Sequence, residues 1–128
     1  RPHAVICDHD AEDRATLERH MGIGTVAANK TVSDGLQAVQ ARLKVAGDGR
    51  PRLMVCKDAL VEIDKELKER GKPTCCLDEF ESYVWEQPKD GRPDKDSPLK
   101  LDDHAMDATR YAVAYEDLQG KPRVRWLG

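Results

Sequence analysis

Two residues near the end of the chain, His104 and Asp107, have the types and the spacing best suited to chemistry. They lie three residues apart, so on a helix both side chains project from the same side. Asp103 and Asp107 lie four apart, and two like charges at that spacing weaken a helix unless a cation lies between them. A divalent metal would be such a cation. An ion pair between Asp107 and Arg110 explains the same pattern without a ligand, so the spacing leaves both interpretations open.

The stretch from Leu101 to Glu116 predicts the single helix that would hold these groups. Asp102 or Asp103 would cap its start, because a carboxylate there accepts backbone N–H groups at the positive end of the helix dipole. Apolar residues recur at helical spacing and predict a narrow stripe that packs against a sheet. The stripe consists of Ala105, Ala108, Ala112 and Tyr115.

A further carboxylate, that of Asp8, follows the first predicted strand. The run His3–Cys7 is short and apolar, as is typical of a buried strand, and Asp8 comes directly after it. Open α/β sheets usually place their chemistry at this end of a strand. Capping of the next helix is the structural role open to Asp8, and Asp10 competes for that role.

The pattern alternates strands and helices as far as residue 70. Predicted strands cover 3–7, 25–28 and 52–57, and predicted helices cover about 13–20, 34–45 and 60–70. Residues 74–77 would add a strand edge. Short connections between such elements predict partly parallel strands with helices on the faces of the sheet. In the second helix, Ser33 or Asp34 would form the cap, and Leu36, Val39 and Leu43 the apolar stripe.

The length and composition predict one soluble domain or part of one. The chain has 128 residues, of which 39% are hydrophobic and 35% charged, and its formal net charge is -3. That charge argues against bulk electrostatic capture of nucleic acid, although a nuclease must still concentrate carboxylates to hold metal. No apolar run approaches the roughly 20 residues of a membrane span, and we expect no secretory leader.

Four cysteines lie in apolar stretches, which predicts buried, reduced thiols on strands and a reducing cytosol. No zinc signature is present in their spacing. They are Cys7, Cys56, Cys75 and Cys76.

Two segments depart from the alternating pattern. Residues 86–100 contain three prolines and charges of both signs, which predicts an exposed loop or hairpin. Its basic residues are candidates for DNA contacts, but the interleaved aspartates favour a merely solvated loop. These basic residues are Lys89, Arg92, Lys95 and Lys100. Residues 117–128 form a basic C-terminal segment.

Four stretches in the same order together resemble the nuclease domain of phage terminase large subunits. The most specific, Asp103–Ala112, is similar to a D-H-x-x-D-A-x-R-Y pattern on the last helix of that family. Cys7–Glu12 resembles the strand-end motif that supplies the family's second catalytic carboxylate. Lys30 stands where the family tends to carry a lysine before a helix, and Glu79–Trp85 resembles an E-x-x-x-Y-x-W stretch. The resemblance covers nearly the whole chain, from about Ala4 to Tyr115.

The resemblance implies an RNase H-like α/β fold, in which helices flank a mixed sheet. Residues 1–128 would be a single, partial terminase nuclease domain. The family pattern begins with an Asp-bearing strand upstream of the Asp8 strand, so we expect this chain to lack the first strands and the first catalytic carboxylate. The implied activity is endonucleolytic cutting of concatemeric double-stranded DNA, by phosphodiester hydrolysis with two Mg²⁺ or Mn²⁺ ions.

Applied residue by residue, the resemblance makes Asp8 and Asp107 metal-binding carboxylates, with His104 as a metal ligand or an acid–base group. Asp103 would cap the helix or act as an acid outside the direct ligands, and Asp10 is a second candidate for that outer position. Lys30 joins the candidate DNA contacts. Hard oxygen ligands suit Mg²⁺ or Mn²⁺.

The implied partners are double-stranded DNA, the ATPase domain of the same parent protein, the portal and the small terminase subunit, with no membrane. The implied location is the cytoplasm of an infected or lysogenic bacterial host. The chain has no G-x-x-x-x-G-K-[ST] loop, so we expect no ATP site in it.

Two alternatives stay open. The chain would be a non-catalytic RNase H-like remnant, kept for assembly with packaging proteins, if the expected absence of the first carboxylate abolishes activity. It would otherwise be another RNase H-like nuclease, such as a junction resolvase. The R-Y ending and the E-x-x-x-Y-x-W stretch argue against the resolvase, through the resemblance alone.

Overall fold

The structure, a computed structural model, describes residues 2–8, 10–84 and 98–118. Over these residues it is a mixed α/β protein with five helices and a two-stranded sheet, and none of these helices is long and apolar enough to cross a membrane. The predictions for 86–97 and 119–128 lie outside the described residues. The elements are β1 (Ile6–Cys7), α1 (Ala11–Met21), β2 (Val26–Ala27), α2 (Val32–Leu43), α3 (Lys65–Glu69), α4 (Cys76–Ser82) and α5 (His104–Asp117).

The two strands are parallel, as the alternating pattern predicts, and α1 connects them. Ile6 lies opposite Val26 in the register. Asp10 caps α1, because its carboxylate accepts the backbone N–H groups of Glu12 and Asp13 at 3.0 Å each. Since Asp10 is the cap, the carboxylate of Asp8 is not needed for that role.

A partly buried polar cluster around Thr25 fixes the connection between α1 and β2. The carboxylate of Glu18 accepts both the backbone N–H and the hydroxyl of Thr25, at 2.7 Å each. Arg14 donates from Nε to the same hydroxyl at 3.0 Å. The hydrogen bonds from Thr25 lower the pKa of Glu18 below its ordinary value. These contacts hold the end of α1 against the start of β2.

The main core lies between α2 and α5. Ala38 and Val39 of α2 pack with Val113 of α5, and Leu53 lies partly buried against them. At the far end, Arg42 donates two hydrogen bonds of 2.7 Å to the carboxylate of Asp117. The two helices therefore pack against each other through small and branched side chains.

The predicted apolar stripe of α5 is wrong. Ala108 and Ala112 are exposed, whereas Ala105 and Tyr115 are only partly buried. The buried face differs because α5 packs mainly on helix α2 and less on helix α4 and strand β1. Its buried residues are Met106, Arg110, Tyr111, Val113 and Ala114.

The predicted third strand, 52–57, is also wrong. The backbone N–H groups of Arg52 and Leu53 both donate to the carbonyl of Arg42, at 2.7 and 3.1 Å. This ties the segment to the end of α2, and Met54 beyond it is 75% exposed. A short apolar run becomes a strand only where a neighbouring strand pairs with it.

Residues 74–77, predicted as a strand edge, instead lead into α4. The carboxylate of Asp78 accepts the backbone N–H and the hydroxyl of Thr74, at 3.0 Å each, which closes the first turn. The helix predicted over 60–70 is reduced to α3, because Asp64 caps it by accepting the N–H of Leu67 at 3.1 Å. In both segments, an aspartate side chain accepts a backbone N–H three or four residues away, and this hydrogen bond fixes the start of the helix.

Helix α2 begins before its predicted cap. Ser33 and Asp34 lie inside its first turn, and the capping position belongs to Thr31, which makes no side-chain cap bond. Of the predicted stripe, Val39 is buried, whereas Leu36 is partly buried and Leu43 exposed. The four cysteines are free thiols as expected, but only Cys7 is buried and on a strand, and Cys56 is exposed.

Candidate functional site

Asp8, His104 and Asp107 line one open cleft of about 450 Å³ between β1 and α5. Asp8 enters it from the end of β1, and the other two from the first turn of α5. Ala108 and Ala112, exposed on α5, also line this cleft. The structure therefore brings together three candidate residues from opposite ends of the chain. We call this opening the β1–α5 cleft.

The start of α5, which carries His104, is fixed by Glu79 of α4. The Oε2 atom of Glu79 accepts the N–H groups of Ala105 at 2.7 Å and Met106 at 3.1 Å. The predicted capping by Asp102 or Asp103 is therefore wrong, since Asp103 occupies the capping position but makes no side-chain cap bond. A carboxylate from another helix meets the positive end of the dipole instead.

A lysine ammonium lies between the two aspartates that the sequence places four apart. Nζ of Lys100 lies 2.7 Å from Oδ2 of Asp107 and 3.2 Å from Oδ2 of Asp103. The hydrogen bond to Asp107 is the main cause that raises the pKa of Lys100. The cation that this spacing requires is thus present as an amino-acid side chain.

The other oxygen of Asp107 binds a buried arginine. Nη2 of Arg110 donates to Oδ1 of Asp107 at 2.8 Å, and the Arg110 side chain is 3% exposed. Burial alone would raise the pKa of Asp107, but the hydrogen bonds from Lys100 and Arg110 outweigh it and hold that pKa below the ordinary value. The ion pair between Asp107 and Arg110, one of the two sequence interpretations, is therefore formed.

Asp8 forms an ion pair with Lys30, which lies three residues beyond β2 and was a candidate DNA contact. The two side chains are 53% and 59% exposed, so the pair contributes little stability and can exchange with solvent ions. Asp10 caps α1 and does not line the cleft. Of the other candidate DNA contacts, Lys100 pairs with Asp103 and Asp107, whereas Lys89, Arg92 and Lys95 lie outside the described residues.

The donor chemistry of the cleft suits a hard divalent cation, because two carboxylates and one imidazole border the same opening. The described residues nevertheless contain no group of three or more His, Cys, Asp and Glu side chains close enough together to hold a metal ion. Lys30 and Lys100 would have to release Asp8 and Asp107 before both carboxylates could bind one. The exposure of both lysines permits that release, whereas the buried Arg110 would stay in place.

Sequence reasoning missed the roles of two residues around the cleft. Lys100 precedes α5 and contacts Asp107 across a turn in which Asp102 has a φ of 49°, so helical periodicity does not indicate the contact. Glu79 belongs to a stretch singled out by resemblance, but its capping of α5 is a long-range contact with no local signal.

Comparisons of the chain with protein-family models, with curated proteins and with solved structures found no match. The family assignment therefore stays a prediction that rests on the four sequence stretches.

Proposed function

We propose that this chain is the metal-dependent endonuclease domain of a phage DNA-packaging terminase large subunit, with an RNase H-like fold. The observation that supports it best is the meeting of Asp8, His104 and Asp107 at the β1–α5 cleft. These are the residues that the two most specific motifs select from the sequence alone. The parallel pairing of β1 and β2, with α5 packed against β1, is consistent with such a fold.

In this proposal, Asp8 and Asp107 hold Mg²⁺ or Mn²⁺, with His104 as a third ligand or as an acid–base group. When bound, two such ions activate a water molecule and stabilise the leaving oxygen of a phosphodiester. The chain's own contribution is to hold the Asp107 carboxylate beside the buried Arg110 and to present His104 at the start of α5. The carboxylates also need cations because DNA itself is anionic.

The proposed substrate is concatemeric double-stranded DNA, cut during genome packaging in the cytoplasm of a bacterial host. The proposed partners are the ATPase domain of the same parent protein, the portal and the small terminase subunit. They follow from the family resemblance rather than from any surface of the described residues.

Cleavage of supercoiled plasmid by the complete nuclease domain of the parent protein, in the presence of Mn²⁺, tests this function. We expect D107A to lower the cleavage rate at least about 100-fold, since even residues that only support metal ligands cost about 10–100-fold in metal affinity or activity. The matched control is D34A, because Asp34 also lies in the first turn of a helix but not in the cleft. Unchanged cleavage in D107A would contradict the proposal.

One observation favours the second candidate, a non-catalytic assembly module. Both cleft carboxylates are already neutralised by side chains, Asp8 by Lys30 and Asp107 by Lys100 and Arg110. Such a site needs no metal to be stable. If millimolar Mn²⁺ leaves the NMR signals of Asp8 and Asp107 unchanged and no plasmid is cut, the assembly module is the better description.

A further inference from the structure

Arg110 is the most deeply buried charged side chain near the cleft, and its contacts join separate parts of the chain. Besides Asp107, it donates from Nη1 to the backbone carbonyls of Lys30 at 3.2 Å and Thr31 at 3.1 Å. Its guanidinium also lies 4.8 Å from the centre of the Tyr111 ring. The Arg110 guanidinium thus binds backbone carbonyls of the segment after β2 and, at the same time, the Asp107 carboxylate on α5.

The position of Arg110 depends on a glycine in the facing helix. A Cβ atom on Gly35 of α2 would lie 2.7 Å from Cγ and 3.0 Å from Cδ of Arg110. These are atoms near the base of the side chain, so Arg110 could not avoid the clash by moving its tip alone. Glycine is a poor helix former, and its place inside α2 is explained by the room it leaves for this arginine.

The contact between Arg110 and Asp107 uses only one carboxylate oxygen. Oδ1 of Asp107 accepts from the buried arginine, whereas Oδ2 is bound by Lys100, which is 62% exposed. The contact between Oδ1 of Asp107 and Arg110 is therefore fixed, whereas Lys100 at Oδ2 can be replaced by another cation. Arg110 also binds the backbone carbonyl of Lys30, whose side chain pairs with Asp8.

We propose that Arg110, seated against Gly35, is a positioning residue that holds the Asp107 carboxylate in place at the edge of the β1–α5 cleft, so that a divalent cation can replace Lys100 at its second oxygen. This inference rests on the proposed function, because it assumes that Asp107 binds metal. Arg110 itself touches neither DNA nor metal in this role. Side chains that orient a metal ligand commonly change metal affinity by about 10–100-fold when they are replaced.

Titration with Mn²⁺ alone, followed by the electron paramagnetic resonance signal of the free ion, tests the inference without any cleavage assay. We expect G35A to weaken Mn²⁺ binding several-fold and R110K about tenfold or more. Lysine keeps the charge of Arg110 but lacks the planar fork that reaches two carbonyls and a carboxylate together. G47A is the matched control, because a Cβ on Gly47 would meet nothing within 4 Å.

Melting temperatures of the same samples separate positioning from a general loss of packing. A folded G35A with weakened Mn²⁺ binding, beside an unchanged G47A, supports the inference. If wild type and a folded G35A bind Mn²⁺ equally, Arg110 does not position Asp107, while the proposed function survives. If the wild type binds no Mn²⁺, both proposals are wrong. Should R110K fail to fold, G35A alone decides the question.

Discussion

Asp107 is bound by one buried cation and one exposed cation, and only the exposed one can be replaced easily. Arg110 is buried and fixed by backbone carbonyls, whereas Lys100 is exposed and also pairs with Asp103. An exposed ammonium exchanges easily, because such pairs are worth about 0.2–1 kcal/mol. In the proposed function, Lys100 would therefore compete with a divalent cation for the same oxygen of Asp107.

Replacement of Lys100 tests this competition. We expect K100M to lower the free energy of unfolding by about 1 kcal/mol, since Asp103 and Asp107 are then left without the cation between them. We expect the same variant to bind Mn²⁺ several-fold more tightly, because the oxygen no longer has to be released by an ammonium. Urea denaturation and Mn²⁺ titration measure the two effects.

The control for this prediction is K57M, which removes an exposed lysine from the segment after α2. Weaker Mn²⁺ binding by K100M would show that Lys100 supports the cleft rather than competing for it.

At the scale of elements, the sequence predicted the parts whose cause is local. Helix α1 has its cap at Asp10 and its stop at Gly22, which has a φ of 63°, and both signals are readable from the residues alone. The strand at 52–57 was wrong because a strand needs a partner, and its amides bind the end of α2 instead. The cap of α5 by Glu79 was missed because it comes from a different helix.

The tie between α1 and β2 predicts a pH dependence of stability. The folded-state pKa of Glu18 is lowered from its ordinary value of 4.5 by the hydrogen bonds from Thr25. The ionised carboxylate therefore stabilises the fold above about pH 4.5, and this contribution is lost as the pH falls through the lower, folded-state pKa. Wild type should thus exceed E18Q in free energy of unfolding near neutral pH, and the difference should shrink on acidification.

Urea denaturation of both proteins between about pH 3 and pH 7 measures this difference. A second variant, T25V, removes the hydroxyl donor and should flatten the pH dependence in part. Parallel pH profiles for wild type and E18Q would show that the contact contributes nothing.

At the scale of the whole molecule, the candidate site exists only in the folded chain. Asp8 follows β1 near one end of the sequence, and Asp107 lies on α5 near the other. What joins them is the packing of α5 on α2 and on β1. A ligand that bridges two such distant segments binds the native state and not the unfolded one, so its binding free energy adds to stability.

Mn²⁺ should therefore raise the melting temperature of the protein, with a gain of about 2.7 kcal/mol at 100 times its dissociation constant. D8N and D107N should each remove this gain, whereas D34N should keep it. Without metal the two cleft variants should differ: D8N loses only an exposed ion pair, but D107N leaves the buried Arg110 without its counter-charge, a loss of up to about 3–5 kcal/mol. Differential scanning calorimetry with and without Mn²⁺ separates the two effects. A gain that survives in D8N would mean that the metal binds without joining the two ends of the chain.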